Sequence, residues 1–378
     1  MKTSQKIHPL QFLPGILLTF IVMMLGIYGA ELLGFLMKQM SLLEADSKTP
    51  ISGIFVAIII GIIVRNLFGL HNIFGEGIAF SVKYLLRAGI ILLGFRLSLV
   101  EALKLGAIGI PLIVICISAG FFLTIYLTKK MQQSNRLGLL IASGTGICGV
   151  TAIMATAPVL KAKDNEISYA VANITIFGIT GMVLYPFLAN WLFAADPVRA
   201  GLFLGTSIHD TAQVTGAALI HAQMFDMPEV IDVATVTKLT RNLFIIAIIP
   251  LVSYLYFKKE GKLEEREMPK WYTFVPLFVL GFLFLSFVRT IGDYTFTEFG
   301  QAFGILSQDA WKSIYESSSS FGTTYLLGMA MAGVGLSTDF KMLRGIGLKP
   351  FYIGFIAAVT VGFVSALLIS LFGGWIAL

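Results

Sequence analysis

An all-α membrane protein of about eleven transmembrane helices is the fold class this sequence predicts, on three observations. Residues A, V, I, L, M, F, W, Y and C make up 57% of the 378 positions and D, E, K and R only 13%, a balance no soluble core of this length requires. The apolar residues fall in repeated runs of roughly 18 to 25, enough for a helix to cross a hydrocarbon layer ~30 Å thick. Short segments of alternating polarity, the signature of a closed barrel, are missing.

Taken in order, the spans are expected at about 12–37, 51–68, 79–96, 107–128, 138–160, 167–193, 200–220, 231–257, 271–290, 318–338 and 350–375. The first run, from Phe12 to about Met37, follows Lys2 and Lys6 and begins like a secretion signal. It is too long for one, and no small-residue cleavage site follows. Cys116 and Cys148 lie inside apolar runs, without the paired spacing of a metal site or a structural disulfide.

The formal charge of +6 sits mostly in loops and reads as membrane orientation, not nucleic-acid binding. Roughly fifteen Lys and Arg fall on the N-terminal side, including Lys129, Lys130, Arg136, Lys258, Lys259, Lys262, Arg266, Lys270, Lys341, Arg344 and Lys349, against roughly eight opposite. A multi-pass inner (plasma) membrane protein with a cytoplasmic N-terminus and an extracytoplasmic C-terminus is therefore expected. Two connections are long: the charged stretch Lys258 to Lys270, and the outer stretch Arg289 to Ser317, where Trp311 and Tyr315 suit an interface. The chain reads as a single membrane domain with a homodimer allowed for, with repeats over about 51–193 and 200–375 and an extra first helix at 12–37.

Internal echoes support a duplication. Gly144-Thr145-Gly146-Ile147-Cys148-Gly149-Val150-Thr151-Ala152 resembles Gly205-Thr206-Ser207-Ile208-His209-Asp210-Thr211-Ala212 with one residue skipped, and Gly94 to Ser98 echoes Gly333 to Ser337. Recurrence of Gly, Ala, Thr and Leu in any membrane protein is the other reading.

Several residues need a reason to be in a bilayer. The fifth span holds Gly144, Gly146 and Gly149 at its middle, where each Gly costs a helix about 1 kcal/mol relative to Ala. An interruption there would expose backbone groups to a ligand, and a half-helix beginning near Val150 would aim its positive end at the gap, which suits an anion. Tight packing through small residues is the alternative.

The seventh span carries His209, Asp210, Thr211 and Gln213, roughly 14 Å from its start. Ionisable groups at that depth face a bundle interior or a cavity. In the eighth span Lys238 and Arg241 lie three apart on one helical face, beside Asn242, and Arg241 is about 15 Å deep, level with His209 and Gly149. A planar guanidinium suits an oxyanion, while an internal ion pair with Asp210 is the competing account.

Asn173 and Thr175 of the sixth span are candidates to complete the polar lining. Lys83 and Arg87 share a face of the third span, with Arg87 the deeper, and Glu31 reads as interfacial. Ser317 to Ser320, Thr323 and Thr324, with Gly322, open the tenth span as either a hydrophilic vestibule or a further interruption.

On the segments Gly144 to Ala157, Gly205 to Ala218 and Gly328 to Ser337, the chain resembles the YeiH-like family of bacterial membrane proteins, named as sulfate exporters, over essentially its whole length. More distantly, Cys148 to Ile153, followed by Asp164 and a polar helix, resembles the bile acid:sodium symporter superfamily. That resemblance implies inverted repeats with discontinuous crossing helices, and makes span ten the partner of span five. Where the symporters place a Ser-Asn pair at sodium this chain has Ala152-Ile153, which counts against sodium coupling.

The expected function is secondary active transport, as an exporter, of a small oxyanion such as sulfate or an organosulfonate, by alternating access of a core bundle against a scaffold. The candidate substrate-binding residues are Thr145, Gly146, Cys148, Gly149, Val150, Thr151, His209, Asp210, Thr211, Gln213, Lys238 and Arg241. His209, Asp210, Asn173 and Thr175 are the candidates for coupling to H+ or Na+, with no metal and no other cofactor expected. Arg241→Ala is expected to abolish binding with the fold intact. An anion channel is the rival reading. A membrane-embedded enzyme is the more remote one, since no nucleophile elbow or metal triad accompanies His209 and Asp210.

Overall fold

The computed structural model describes residues 11–40, 51–194, 196–260, 276–341 and 347–373. Lys2, Lys6, Lys262, Arg266, Lys270 and Arg344, counted above toward orientation, lie outside the described residues, as do the ends of the ninth and eleventh predicted spans at 271–275 and 374–375. So do the side chains of Lys258 and Lys259.

The described chain is helical throughout apart from short turns and one isolated bridge, Ala302 with Leu306. The helices are α1 (Leu13–Gln39), α2 (Gly53–Ile63), α3 (Gly75–Phe80), α4 (Leu86–Leu93), α5 (Leu99–Lys130), α6 (Asn135–Gly146), α7 (Val150–Leu160) and α8 (Asp164–Phe193). They continue as α9 (Pro197–Ser207), α10 (Thr211–Phe225), α11 (Glu229–Leu243), α12 (Ile245–Glu260), α13 (Leu277–Phe299), α14 (Gln308–Phe321), α15 (Gly328–Ser337) and α16 (Leu348–Phe372). Among the described residues, seven helical stretches are long and apolar enough to cross a bilayer: Leu13–Gln39, Asn72–Arg96, Leu99–Lys130, Asp164–Phe193, Glu229–Phe257, Leu277–Phe299 and Leu348–Phe372. Gly53–Phe68 and Val150–Leu160 are shorter apolar helices.

Large apolar side chains point outward along these helices. On α1, Leu17, Leu25, Leu32 and Phe35 are all more than half exposed. In water that arrangement would be costly, whereas lipid tails are as apolar as the side chains. The chain is an all-α multi-pass membrane protein.

Two predicted spans are broken at their centres. Span five is α6 and α7, separated at Ile147-Cys148-Gly149, and span seven is α9 and α10, separated at Ile208-His209-Asp210. Span ten, the partner that the symporter resemblance implies for span five, is unbroken: α14 runs through a π-helical stretch, Gly322–Leu327, into α15. The serine and threonine cluster there does not interrupt the helix, because a wider turn absorbs the irregularity without releasing the backbone. The breaks thus fall where the sequence echo lies, in spans five and seven.

The stretch Arg289 to Ser317, expected as a long outer connection, is likewise shorter as a loop than the sequence implies. Its residues extend α13 and begin α14, tied by Arg289 Nε to Asp293 at 2.6 Å and Trp311 Nε1 to Asp293 at 2.8 Å. The Arg289 guanidinium stacks 3.4 Å above the Tyr315 ring. Trp311 is buried in these contacts, not spread at an interface.

The helices form two compact units. The first takes the described residues up to Ser98, Gln223–Asp226 and Gly281–Phe340, and the second those of Leu99–Ala222, Met227–Leu280 and from Lys341 onward. Both draw on the stretches 51–193 and 200–375. Within the second unit α5 packs on α6, α11 and α16, α9 on α11, and α6 on α8. Ile113, Ile117, Phe121, Ile141, Ile153 and Ile174 fill the core between them. Dispersion and close packing carry this core, since lipid supplies no hydrophobic drive between helices.

Candidate functional site

The two broken spans and α11 meet inside the second unit. A helix that stops in mid-span leaves its last carbonyls and its first N–H groups without intrahelical partners, and both sets must be satisfied away from water. This chain satisfies them with side chains of opposite charge at the two sides of the breaks.

The carbonyl side belongs to Lys238 and Arg241, both fully buried. Lys238 Nζ donates to the carbonyls of Ile147 (3.0 Å), Ile208 (3.1 Å) and His209. Arg241 donates from Nε to Gly146 O (3.0 Å), from Nη1 to Thr206 O (2.5 Å) and Ile208 O (3.4 Å), and from Nη2 to Thr145 O (2.7 Å). The spacing of three on α11 places both cations on one face, where they bridge the C-terminal ends of α6 and α9, the negative poles of these half-helices. All three lysine donors and most of the arginine fork are therefore engaged by backbone.

The N–H side belongs to Asp210. Its Oδ1 accepts from Ala212 N at 2.9 Å, capping α10, while its Oδ2 lies over Gly149 at the start of α7, where the Val150 N–H attracts the carboxylate. Asp210 N donates to Gln213 Oε1 at 3.3 Å, the return bond of a capping box whose forward bond here comes from the second residue, Ala212. Gln213 Nε2 reaches Thr175 O on α8 at 3.3 Å.

Two glycines permit this approach. Gly149, at φ +65°, holds a conformation that L side chains rarely adopt, and a Cβ on it would lie 2.8 Å from Asp210 Oδ2. A Cβ on Gly178 would lie 1.8 Å from Gln213 Oε1. Gln213→Ala removes the return half of the box and is expected to cost about 1 kcal/mol, read as a lower thermal unfolding midpoint in detergent. An unchanged midpoint would make the bond idle.

The predicted residues thus converge, with differing parts. Gly146, Cys148, Gly149, Val150, His209, Asp210, Thr211, Lys238 and Arg241 all lie at the breaks. The Thr145 carbonyl faces Arg241 and the His209 ring, while its hydroxyl and His209 Nδ1 are buried without partners among the described residues. Asn242, 3% exposed, donates from Nδ2 to Thr211 Oγ1 at 3.1 Å, and its Oδ1 also has no partner among them. Val150, Asp210 and Thr211 are half-buried and Thr151 is exposed, so the N–H side is the accessible one and the cation side is sealed.

Asn173 is used differently. It is fully buried, its Nδ2 donates to Pro350 O at 2.7 Å, and it abuts Gly354, so it fastens α8 to α16. Thr175 contributes its carbonyl to Gln213. Lys83, Arg87 and Glu31 belong to the first unit and are exposed, with Lys83 5.3 Å from the Tyr84 ring centre. The seat of Asp210 at the starts of both α10 and α7 is the feature that residue-by-residue reading missed. The spacing Asp210-Thr211-Ala212-Gln213 carries its signal, an N-cap acid with Gln three residues on, and would have placed a helix start in mid-span.

A multi-pass helical membrane protein with two interrupted helices converging on buried charges is the class that fold and site define. The chain belongs to the family described as conserved hypothetical protein 698, whose profile it matches over residues 14–354. It is 32% identical to a UPF0324 membrane protein of Streptococcus agalactiae over 319 residues, 84% of this chain and 90% of the relative. A UPF0324 membrane protein of Fusobacterium nucleatum is also 32% identical over 319 residues, covering 84% and 88%. One of Bacillus cereus is 33% identical over 321 residues, covering 84% and 83%. No solved structure matches the chain.

Proposed function

We propose that the protein is a secondary transporter of a small oxyanion, sulfate or an organosulfonate, working by alternating access with the breaks of spans five and seven as its substrate site. One observation carries this reading. Among the described residues Lys238 and Arg241 stand against Asp210 alone at the breaks, so one positive charge is unbalanced in a buried setting. A buried net charge is costly until a counter-charge arrives, and the accessible side of the breaks offers the N-terminal N–H groups of α7 and α10, which suit an anion.

Lys238 and Arg241 act in this scheme through their field, since their donors are held by carbonyls. The first N–H groups of α7 and α10, with Thr151 and Thr211, make the direct contacts. Ala152 and Ile153 are fully buried and bring no side-chain oxygen, which favours protons over sodium as the coupling ion. The YeiH-like resemblance supports export, and the loop charges support an inner-membrane protein with its N-terminus inside.

The test is flux in proteoliposomes reconstituted with the purified protein. Saturable uptake of labelled sulfate or methanesulfonate, driven by a proton gradient, is the expected result. Folded protein that moves neither anion under any imposed ion gradient would overturn the oxyanion reading, and unsaturable, gradient-independent conductance would replace it with a channel.

A further inference from the structure

We propose that Asp210 is a tethered stand-in for the transported anion, so that substrate binds only when this carboxylate takes up a proton and gives up its seat. The inference rests on the oxyanion reading above and specifies how that site is regulated. Asp210 already does what a bound oxyanion would do. Its carboxylate takes a donor from the N-terminal end of α10 and lies against the N-terminal end of α7, where Gly149 lacks the Cβ that would hold it away. An incoming sulfate would compete for the same N–H groups against a like charge.

The charge balance gives direction. With Asp210 ionised, the buried excess at the breaks is one positive charge, and with Asp210 protonated it becomes two, the complement of a dianion. The proton comes from water, joins the carboxylate oxygen and leaves with the substrate on the other side, so one proton accompanies each anion. Asn242 is placed to help. Its amide sits at the first residue of α10 with one end unpartnered among the described residues, and a half-turn of that amide would offer N–H to an anion seated there. The titratable and charged groups facing Asp210 are Lys238 from α11 and Cys148 from the α6–α7 break; His209 is its neighbour in the chain, and Arg241 lies one turn along α11 from Lys238.

The experiment is calorimetric titration of the full-length protein in detergent with sodium sulfate, from mildly alkaline to mildly acidic pH, on wild type, Asp210→Asn and His209→Gln. Asn ranks with Asp as an N-cap, so the helix start survives the change; a thermal melt confirms that each variant is folded. Wild-type affinity is expected to rise as pH falls, approaching about tenfold per pH unit for one linked proton. Asp210→Asn is expected to bind sulfate at least as tightly as acidic wild type, with a flat profile.

Weaker binding by folded Asp210→Asn, or retention of the wild-type slope, would overturn the inference while leaving the oxyanion reading in place. Loss of the slope in His209→Gln together with its retention in Asp210→Asn would assign the proton to His209. Absence of sulfate binding in all three proteins at every pH would remove the oxyanion reading itself, and this inference with it.

Discussion

Arg241→Ala is expected to destabilise the fold by about 3–5 kcal/mol, the usual consequence of removing one partner from a buried charged network. The side chain donates to the carbonyls of Thr145, Gly146, Thr206 and Ile208, which belong to the ends of two different helices. Each carbonyl left without a donor in a dry setting costs about 1–3 kcal/mol unless water enters. The negative poles of α6 and α9 would also face each other with only Lys238 between them. Tryptophan fluorescence during thermal unfolding in detergent reads the effect. Arg241→Lys should fall between wild type and Ala, because an ammonium keeps the charge but loses the fork. This replaces the expectation, drawn from the sequence, that Arg241→Ala removes binding and spares the fold. An unchanged midpoint combined with lost sulfate binding would restore Arg241 as a direct ligand.

Gly149→Ala is expected to be nearly as severe, and to act on transport as well as stability. At φ +65° and ψ −126° an alanine is strained by about 1–3 kcal/mol before any contact is counted. Its Cβ would lie 2.8 Å from Asp210 Oδ2 and 3.0 Å from Asp210 Cβ, so the carboxylate must move off the α7 N-terminus. Gly146→Ala is the matched control: a Cβ there meets nothing closer than 3.6 Å and should be tolerated. Parallel melts and sulfate flux on the two variants check the contrast, and equal behaviour would remove the special role of Gly149.

The break in span five was legible because three glycines within six residues make a continuous helix expensive, and its second half does begin at Val150. The break in span seven was harder to read. It has one glycine beside it, Gly205, where span five has three, and the Asp210 and Gln213 spacing carries the clearer signal. Asn173 is a coupling candidate because it follows the Gly-rich fifth span at a position that could complete its polar lining, and nothing in one sequence says that its amide also donates to Pro350, 177 residues away.

The amino-acid sequence by itself determined that this is a helical membrane protein, roughly where its helices lie, and that Gly149, His209 and Arg241 share a depth. Apolar run length and the 1.5 Å rise of a helix are local properties, and they suffice for that. Tertiary structure decided which end of each half-helix meets which charge. A cation at the carbonyl ends is a fastener, and the same cation at the N–H ends would be a free ligand for an anion. Depth counting cannot distinguish the two, because the choice depends on how α11 packs against α6 and α9. That packing turned Lys238 and Arg241 toward the carbonyls and left the N–H ends to Asp210.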